Sequence, residues 1–136
     1  MREILFRGKR LDNGEWIEGA HMLLDGEEHR IATSCLTNES RELLTVCAYP
    51  VDPETIGQYT GLQDKNGAKI FEGDIVKWRF KRVWQEQYHI AEVIWRQSKC
   101  GWRLNTAGDT TKMRDDIEYE ILGNIYDNPE LLEVKP

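Results

Sequence analysis

Residues 58–76 read QYTGLQDKNGAKIFEGDIV, a stretch in which two turn signals lead into a run of large residues. The first signal is Asn66-Gly67, whose residue types supply the positive φ angles that a tight hairpin needs. The second is Glu72-Gly73-Asp74, after which Ile75 begins the run of large residues. This stretch therefore predicts a hairpin followed by entry into a further strand.

Short apolar stretches alternate with turn signals on both sides of this segment. Before it, Asp12-Asn13-Gly14 and Asp25-Gly26 are typical hairpin turns. Residues 38–44 fit either a helical turn or the start of a strand that ends near Tyr49. The predicted strands lie near residues 3–7, 15–22, 30–33, 75–84, 89–96, 101–105 and 116–122, and Gly123 ends the last one; residues 110–114 lead out of a loop at 107–109.

Two capping signals interrupt the strands. Asp52 and Asn128 are good cap residues, and each precedes a proline that suits the first position of a helical turn. We therefore expect single helical turns at Pro53 and Pro129. With no longer helix and several short strands, the fold class is all-β, a small antiparallel meander followed by a small barrel.

Composition limits the class of protein. The chain has 136 residues, of which 40% are hydrophobic and 31% charged, and its formal net charge is −6. This charge makes the whole chain a poor general binder of polyanions. The apolar runs are too short to span a membrane, and the N-terminus does not resemble a signal peptide, so we expect a cytoplasmic protein. Cys35, Cys47 and Cys100 are widely spaced, which predicts small buried or half-buried side chains and neither a disulfide framework nor a zinc site.

Ordered motifs at the start, middle and end of the chain resemble the YopX family of phage and prophage proteins. They are REIxFR at 2–7, YTGLxDKNG at 59–67, IxEGDIV at 70–76 and GNIYxNPEL at 123–131. The resemblance implies a phage or prophage accessory protein, in the cytoplasm of a host bacterium, whose C-terminal part is an SH3-like barrel. It implies no established activity. The expected domains are an N-terminal β lobe at 1–50, packed on the barrel and not independent, and the barrel unit at 51–136.

The motif residues have a structural interpretation in turns and caps. They are Tyr59, Gly61, Asn66, Gly67, Glu72, Gly73, Asp74, Gly123, Asn128 and Pro129. The alternative is that Glu72 and Asp74, two apart on an extended chain, face a common cleft as an acid pair. Together with Asp115 and Asp116, such a pair would suit a metal-dependent hydrolase. No recognised catalytic constellation accompanies it, so we expect no enzyme, no metal and no cofactor.

The segment 77–114 concentrates basic and aromatic residues. It holds nine of the eighteen basic residues against three acidic ones, a net charge of +6, whereas the remainder carries −12. Alternation in Lys77-Trp78-Arg79-Phe80-Lys81 places aromatic and basic side chains on opposite faces of a strand. The candidate binding residues are Lys77, Arg79, Lys81, Arg82, Trp84, Trp95, Arg96, Trp102 and Arg103.

Three interpretations of this segment stay open. The basic residues are the solvated exterior of a barrel that Trp78 and Phe80 fill, or they form a face for nucleic acid or an acidic protein. In the third, the aromatic residues are buried in an interface between copies of the chain. The expected function is a non-catalytic interaction module for a protein partner or for self-association. The alternatives are a nucleic-acid-binding protein and a metal-dependent hydrolase.

Overall fold

The computed structural model describes residues 3–37, 43–79, 88–106 and 109–132, with the side chains at 35–37, 43–45 and 109 excepted. Over these residues the protein is all-β, as predicted, and its helical segments are three short 3-10 turns. The strands are β1 Phe6–Lys9, β2 Trp16–Leu24, β3 Glu28–Thr37, β4 Leu43–Pro50, β5 Gly57–Gln63, β6 Lys69–Phe71, β7 Asp74–Trp78, β8 His89–Arg96, β9 Gly101–Thr106, β10 Asp109–Lys112 and β11 Glu120–Asn124. None of the described helical segments has the length and apolarity to cross a membrane.

The chain forms two compact units, Met1–Tyr59 and Thr60–Pro136, so the division falls inside β5. In the first unit, β4, β3, β2, β1 and the start of β5 lie side by side in that order. Every pairing for which a register is resolved there is antiparallel. The predicted domains, 1–50 and 51–136 with the first packed on the second, remain a prediction.

Turn chemistry joins the strands of the first unit. Asp25 and Gly26 both have positive φ, 54° and 74°, and Glu27 N–H donates to the Leu24 carbonyl over 3.1 Å. The predicted helical turn at Pro53 is confirmed as Pro53–Thr55, where the Asp52 carboxylate accepts from the Glu54 N–H at 3.1 Å. These local hydrogen bonds fix where the strands start and end.

The second unit is a five-stranded antiparallel sheet in the order β10, β9, β8, β7, β11. Alternation along the strands gives it an apolar face, and the buried cluster on that face comprises Ile70, Val76, Trp78, Ala91, Val93, Leu104, Met113 and Tyr119. In the described residues β10 and β11 are the two edges of this sheet, so no pairing closes it. The SH3-like barrel is therefore not confirmed.

The last strand differs from its prediction. β11 begins at Glu120 and includes Gly123, at a register shift between Ile121 and Gly123. The predicted start is wrong because the Asp116 carboxylate accepts two hydrogen bonds from the Arg114 guanidinium, at 2.9 and 2.6 Å, which holds a turn there. The helical turn predicted at Pro129 is present as Pro129–Leu132.

The turn at Asn66-Gly67 also differs. Among the described residues Gly67 has a positive φ of 85°, but Asn66 does not. The turn is held instead by the Asp64 carboxylate, whose Oδ1 accepts from the N–H groups of Asn66 and Ala68, both at 2.9 Å. A side chain that satisfies two turn amides removes the need for a second left-handed residue.

The cysteines depart from expectation at two positions. Cys47 on β4 is disulfide-bonded, and Cys100 is a free, exposed thiol. Spacing along the chain does not show which strands pair, and antiparallel pairing brings together residues that are far apart in sequence. The predictions of no disulfide and of three covered thiols are therefore wrong. Of the segment 38–44, residues 43–44 belong to β4, and 38–42 lie outside the described residues.

Candidate functional site

The predicted binding residues separate into two groups in the second unit. The tyrosine cluster is Lys77, Arg79 and Tyr88, and the tryptophan surface is Trp95, Arg96, Lys99 and Trp102. Lys77 pairs with Ile90, and Trp95 lies five residues further along β8. At about 3.3 Å per strand residue, the two groups are roughly 16 Å apart. Lys81, Arg82 and Trp84 lie outside the described residues.

The tryptophan surface is formed by the end of the β8–β9 hairpin. Trp95 and Trp102 are directly opposite in register, and their rings meet edge to face with centroids 5.1 Å apart at 72°. Trp102 packs against the apolar cluster, whereas Trp95 is 47% exposed. The exposed ring is therefore held by a neighbour that is itself anchored in the core, and such an edge-to-face pair stabilises by about 0.5–1.5 kcal/mol.

A short turn completes this surface. The 3-10 turn Gln97–Lys99 follows β8, and Cys100 has a left-handed backbone, φ 51°, that returns the chain to β9. Arg96 precedes this turn and Lys99 ends it, and both are exposed. Two cationic side chains thus follow the exposed Trp95 ring in sequence and lie in the same hairpin.

A cavity of about 410 Å³ adjoins the tryptophan surface. It is lined by Thr60, Leu62, Lys99, Cys100, Gly101, Trp102, Arg103, Lys112, Met113 and Asp115. Its described lining includes three cationic residues and one carboxylate. A cavity with apolar walls and a positive rim suits a group that carries both apolar and acidic character.

Arg103 and Lys112 place like charges opposite each other. They are register partners on β9 and β10, a pairing that is unfavourable in a sheet unless other groups compensate. The Arg103 guanidinium donates to the Thr110 hydroxyl at 3.0 Å and to the Thr110 carbonyl at 2.9 Å. These bonds hold Arg103 in place, while Lys112 is exposed beside it.

In the tyrosine cluster two cations lie over one ring. Lys77 Nζ is 4.3 Å from the Tyr88 ring centroid, and the Arg79 guanidinium carbon is 5.5 Å from it. Tyr88 is 49% exposed. Cation–π contacts at exposed sites are worth about 0.5–1 kcal/mol each.

Glu92 interrupts the basic face of the sheet between the two groups. It pairs with Ile75 and Asn105 and is half-buried on the face opposite the apolar cluster. Burial raises the pKa of the Glu92 carboxyl, and the nearby Glu72 raises it further. Among the described residues, Glu92 therefore separates Lys77 from Arg96 on this face of the sheet, and the two do not form a continuous basic stripe.

Comparison with known proteins now identifies the family. The family model described as YopX protein matches residues 5–133. The chain belongs to the YopX family. A solved structure with the same fold is protein EF1440 from Enterococcus faecalis, with a TM-score of 0.54 and 24% sequence identity over 97% of this chain and 99% of that one. No curated protein matches the chain.

The YopX motif at 70–76 makes a tight corner. Gly73 has a φ of 91°, and an added Cβ would lie 3.0 Å from the Tyr126 ring. Its N–H donates to the Val93 carbonyl, and its carbonyl accepts from the Ile125 N–H. Asp74 is 2% exposed and accepts from the Phe71 N–H at 2.8 Å. The predicted acid pair facing a common cleft is wrong at Asp74, because its carboxylate is buried in the corner.

The closing YopX motif is a network around Asn124. Its side-chain oxygen accepts from the N–H groups of Tyr126 and Asp127, at 3.0 and 2.9 Å. A Cβ at Gly123 would lie 2.4 Å from the Asn128 side-chain oxygen, so only glycine fits there. Among the other motif residues, Tyr59 is buried, Gly61 has a φ of 92° and Pro129 begins its 3-10 turn.

Sequence reasoning left several important residues out of the candidate site. They are Asp64, Tyr88, Glu92, Lys99, Lys112 and Asn124. The turn role of Asp64 has a local signal, since an aspartate two residues before Asn66-Gly67 is a common turn-former. Asn124 has a local signal of the same kind, since it accepts from amides two and three residues on, whereas the other four have none.

Proposed function

We propose that this YopX-family protein is a non-catalytic interaction module that binds a partner protein through the tryptophan surface. The exposed Trp95 ring, held edge-on by the core-anchored Trp102, carries the proposal. Tryptophan and arginine are the residues most often found at the energetic centre of protein interfaces. An exposed ring that is already ordered also binds with a small loss of side-chain entropy.

The positive charge around the tryptophan surface indicates the kind of partner that it binds. Arg96, Lys99 and Lys112 are exposed, and Asp115 is the one carboxylate among the described cavity residues. A partner with acidic side chains around an apolar anchor complements this surface. A second copy of the same surface would oppose like charges, which disfavours self-association there.

Peptide binding tests this proposal directly. Immobilised peptides that combine aspartate or glutamate with one large apolar residue are compared with the same peptides carrying lysine in place of the acids. We expect the wild-type protein to prefer the acidic set. Trp95→Ala should weaken that binding by about 30-fold, the 2 kcal/mol that defines a hot spot.

Tyr88→Ala is the matched control, because Tyr88 is equally exposed but lies in the other group. It should leave peptide binding unchanged. Equal binding of the acidic and lysine peptides, or full binding by a folded Trp95→Ala variant, would overturn the proposal. Near-UV circular dichroism establishes that each variant retains its fold.

The tyrosine cluster supports nucleic-acid binding as a second candidate function. A half-exposed ring with two cations is the composition of a site that stacks on a base and contacts a phosphate. If this candidate holds, labelled single-stranded DNA or RNA binds with an affinity that falls steeply with salt. Lys77→Glu with Arg79→Glu should then abolish binding, whereas Trp95→Ala should not. An affinity that does not change with salt concentration, or binding that persists in the double variant, excludes this candidate.

The non-catalytic role is supported by Asp74 and Asp116, whose carboxylates are both occupied by N–H donors. The register shift in β11 supports an SH3-like barrel, since bulges bend a sheet toward closure. Membership of the YopX family supports a phage or prophage accessory protein that acts in the bacterial cytoplasm. A hydrolase requiring Glu72, Asp74, Asp115 and Asp116 is the weakest alternative.

A further inference from the structure

The edge strands of the described sheets differ in length and charge. β6 has three residues, β10 has four and β11 has five, and each includes a charged residue. β4 also lies at an edge, but it has eight residues, LLTVCAYP, with no charge and with proline only at its end. Short length, charge, internal proline and β-bulges are devices that keep sheet edges from pairing with other chains. Apart from two register shifts against β3 between Leu43 and Val46, β4 has none of them.

The hydrogen-bond pattern shows which groups β4 presents outward. Val51 N–H donates to the His29 carbonyl, so these two residues form a hydrogen-bonded pair. Antiparallel pairs alternate, so the pairs Ala32–Ala48 and Ser34–Val46 are of the other kind. The N–H and C=O groups of Val46 and Ala48 therefore point away from β3, toward the open edge.

Some of the outward-pointing backbone groups of β4 already have hydrogen-bond partners within the chain. The Ala48 carbonyl accepts from the Arg30 guanidinium at 3.0 Å, and the Pro50 carbonyl accepts from the Leu11 N–H at 3.0 Å. In the described part of the chain, the N–H and C=O of Val46 have no such partner. The Val46 side chain is also 57% exposed. The open edge is thus centred on Val46.

We propose that β4 pairs with β4 of a second copy of this chain, antiparallel and centred on Val46. In this two-fold arrangement each Val46 exchanges both backbone hydrogen bonds with the other, which satisfies the donor and acceptor that each copy leaves open. A second copy fits better than a charged partner, since the strand has no charge to select one and self-pairing opposes no like charges. The two exposed Val46 side chains cover each other in the pair.

This inference is independent of the proposed partner binding, because it concerns residues of the first unit only. The test is sedimentation velocity of the full chain over a concentration series. We expect a reversible shift from 15.9 kDa to twice that mass. Val46→Lys sets two like charges against each other at the centre of the pair and should raise the dimer dissociation constant at least tenfold. Val46→Thr, β-branched and uncharged, is the matched control and should keep the dimer.

Amide hydrogen exchange of the wild-type protein gives a second readout that needs no variant. Exchange at the Val46 amide should slow as protein concentration rises, whereas exchange at the Lys112 amide, which points away from β9 on edge strand β10, should not. A monomer at every concentration, or a dimer that survives in folded Val46→Lys with concentration-independent exchange at Val46, would overturn the proposal. A dimer lost in Trp95→Ala but kept in Val46→Lys would place self-association at the tryptophan surface instead.

Discussion

In the first unit the described buried apolar side chains are Ile31, Val51 and Tyr59, whereas in the second a single cluster of eight packs on one face of a sheet. The first unit also leaves Leu11, Leu23 and Val46 more than half exposed. Burial of apolar area is the main favourable contribution to folding. Judged by the described side chains, the second unit is held by its core, whereas the first relies more on strand pairing, turns and caps.

The largest expected loss of stability comes from a substitution in the core of the second unit. Trp78 is 1% exposed at the centre of the cluster, so Trp78→Ala should lower the free energy of unfolding by about 3–5 kcal/mol. Trp95→Ala, a tryptophan of the same sheet that is half exposed, should cost less than about 1.5 kcal/mol. Urea denaturation followed by circular dichroism measures both. Equal losses would show that burial in this cluster does not explain the stability of the second unit.

A smaller loss of stability is expected on replacing a turn glycine by alanine, and it should differ between one turn of each unit. Gly26 and Gly73 both have positive φ, but a Cβ at Gly26 meets nothing within 4 Å, whereas one at Gly73 lies 3.0 Å from Tyr126. Gly26→Ala should therefore cost about 1 kcal/mol from backbone strain alone, and Gly73→Ala about 2 kcal/mol or more. Thermal unfolding of the two variants checks this order. If the Gly26 variant is the less stable, packing at the Gly73 corner is not a constraint.

The smallest expected effect is the change of stability with pH, which has opposite signs in the two units. In the first, His21 and His29 have ring nitrogens 2.9 Å apart, and burial lowers the pKa of His21, as does the charge of His29. The fold therefore favours neutral His21. Its contribution is complete above the unfolded pKa of 6.5 and is lost as pH falls through that value toward the lower folded pKa.

In the second unit, Glu92 behaves in the reverse way. Its pKa is raised, so the fold favours the protonated acid, and acidification from neutral pH toward the unfolded value of 4.5 adds stability. His21→Gln should flatten the loss of melting temperature between pH 7.5 and 5.5. Glu92→Gln should raise the melting temperature at pH 7 and have no effect at pH 4. Variants whose pH profiles run parallel to that of the wild type would contradict both assignments.

Some residues of the fold could be predicted because their partners are near in sequence. Asp52 and Pro53 form their turn as expected, and Asp25-Gly26 forms its hairpin, since each needs only neighbouring amides. The end of β11 could not be predicted in the same way. Gly123 is a strong breaker by composition, but it lies within β11, and the Asn128 side chain occupies the space that a Cβ would need.

The candidate site, too, could be predicted from the sequence only in part. Composition indicates a basic, aromatic segment, and alternation indicates which side chains share a face. Neither shows that Glu92 divides that segment into two groups, or that Trp102 anchors Trp95. Both facts depend on the register between β7, β8 and β9, which is set by the burial of Val76, Ala91 and Leu104.

The local chemistry of the chain determined the all-β class, the places where it turns, the caps at both prolines and the family. These depend on φ preferences and on hydrogen bonds between near neighbours, which a single sequence displays. Only the tertiary structure decided which strands are edges, which tryptophan is exposed and where Cys47 and Asp74 are engaged. Those outcomes depend on pairing between distant segments, because the free energy of burying one face depends on which strand lies beside it.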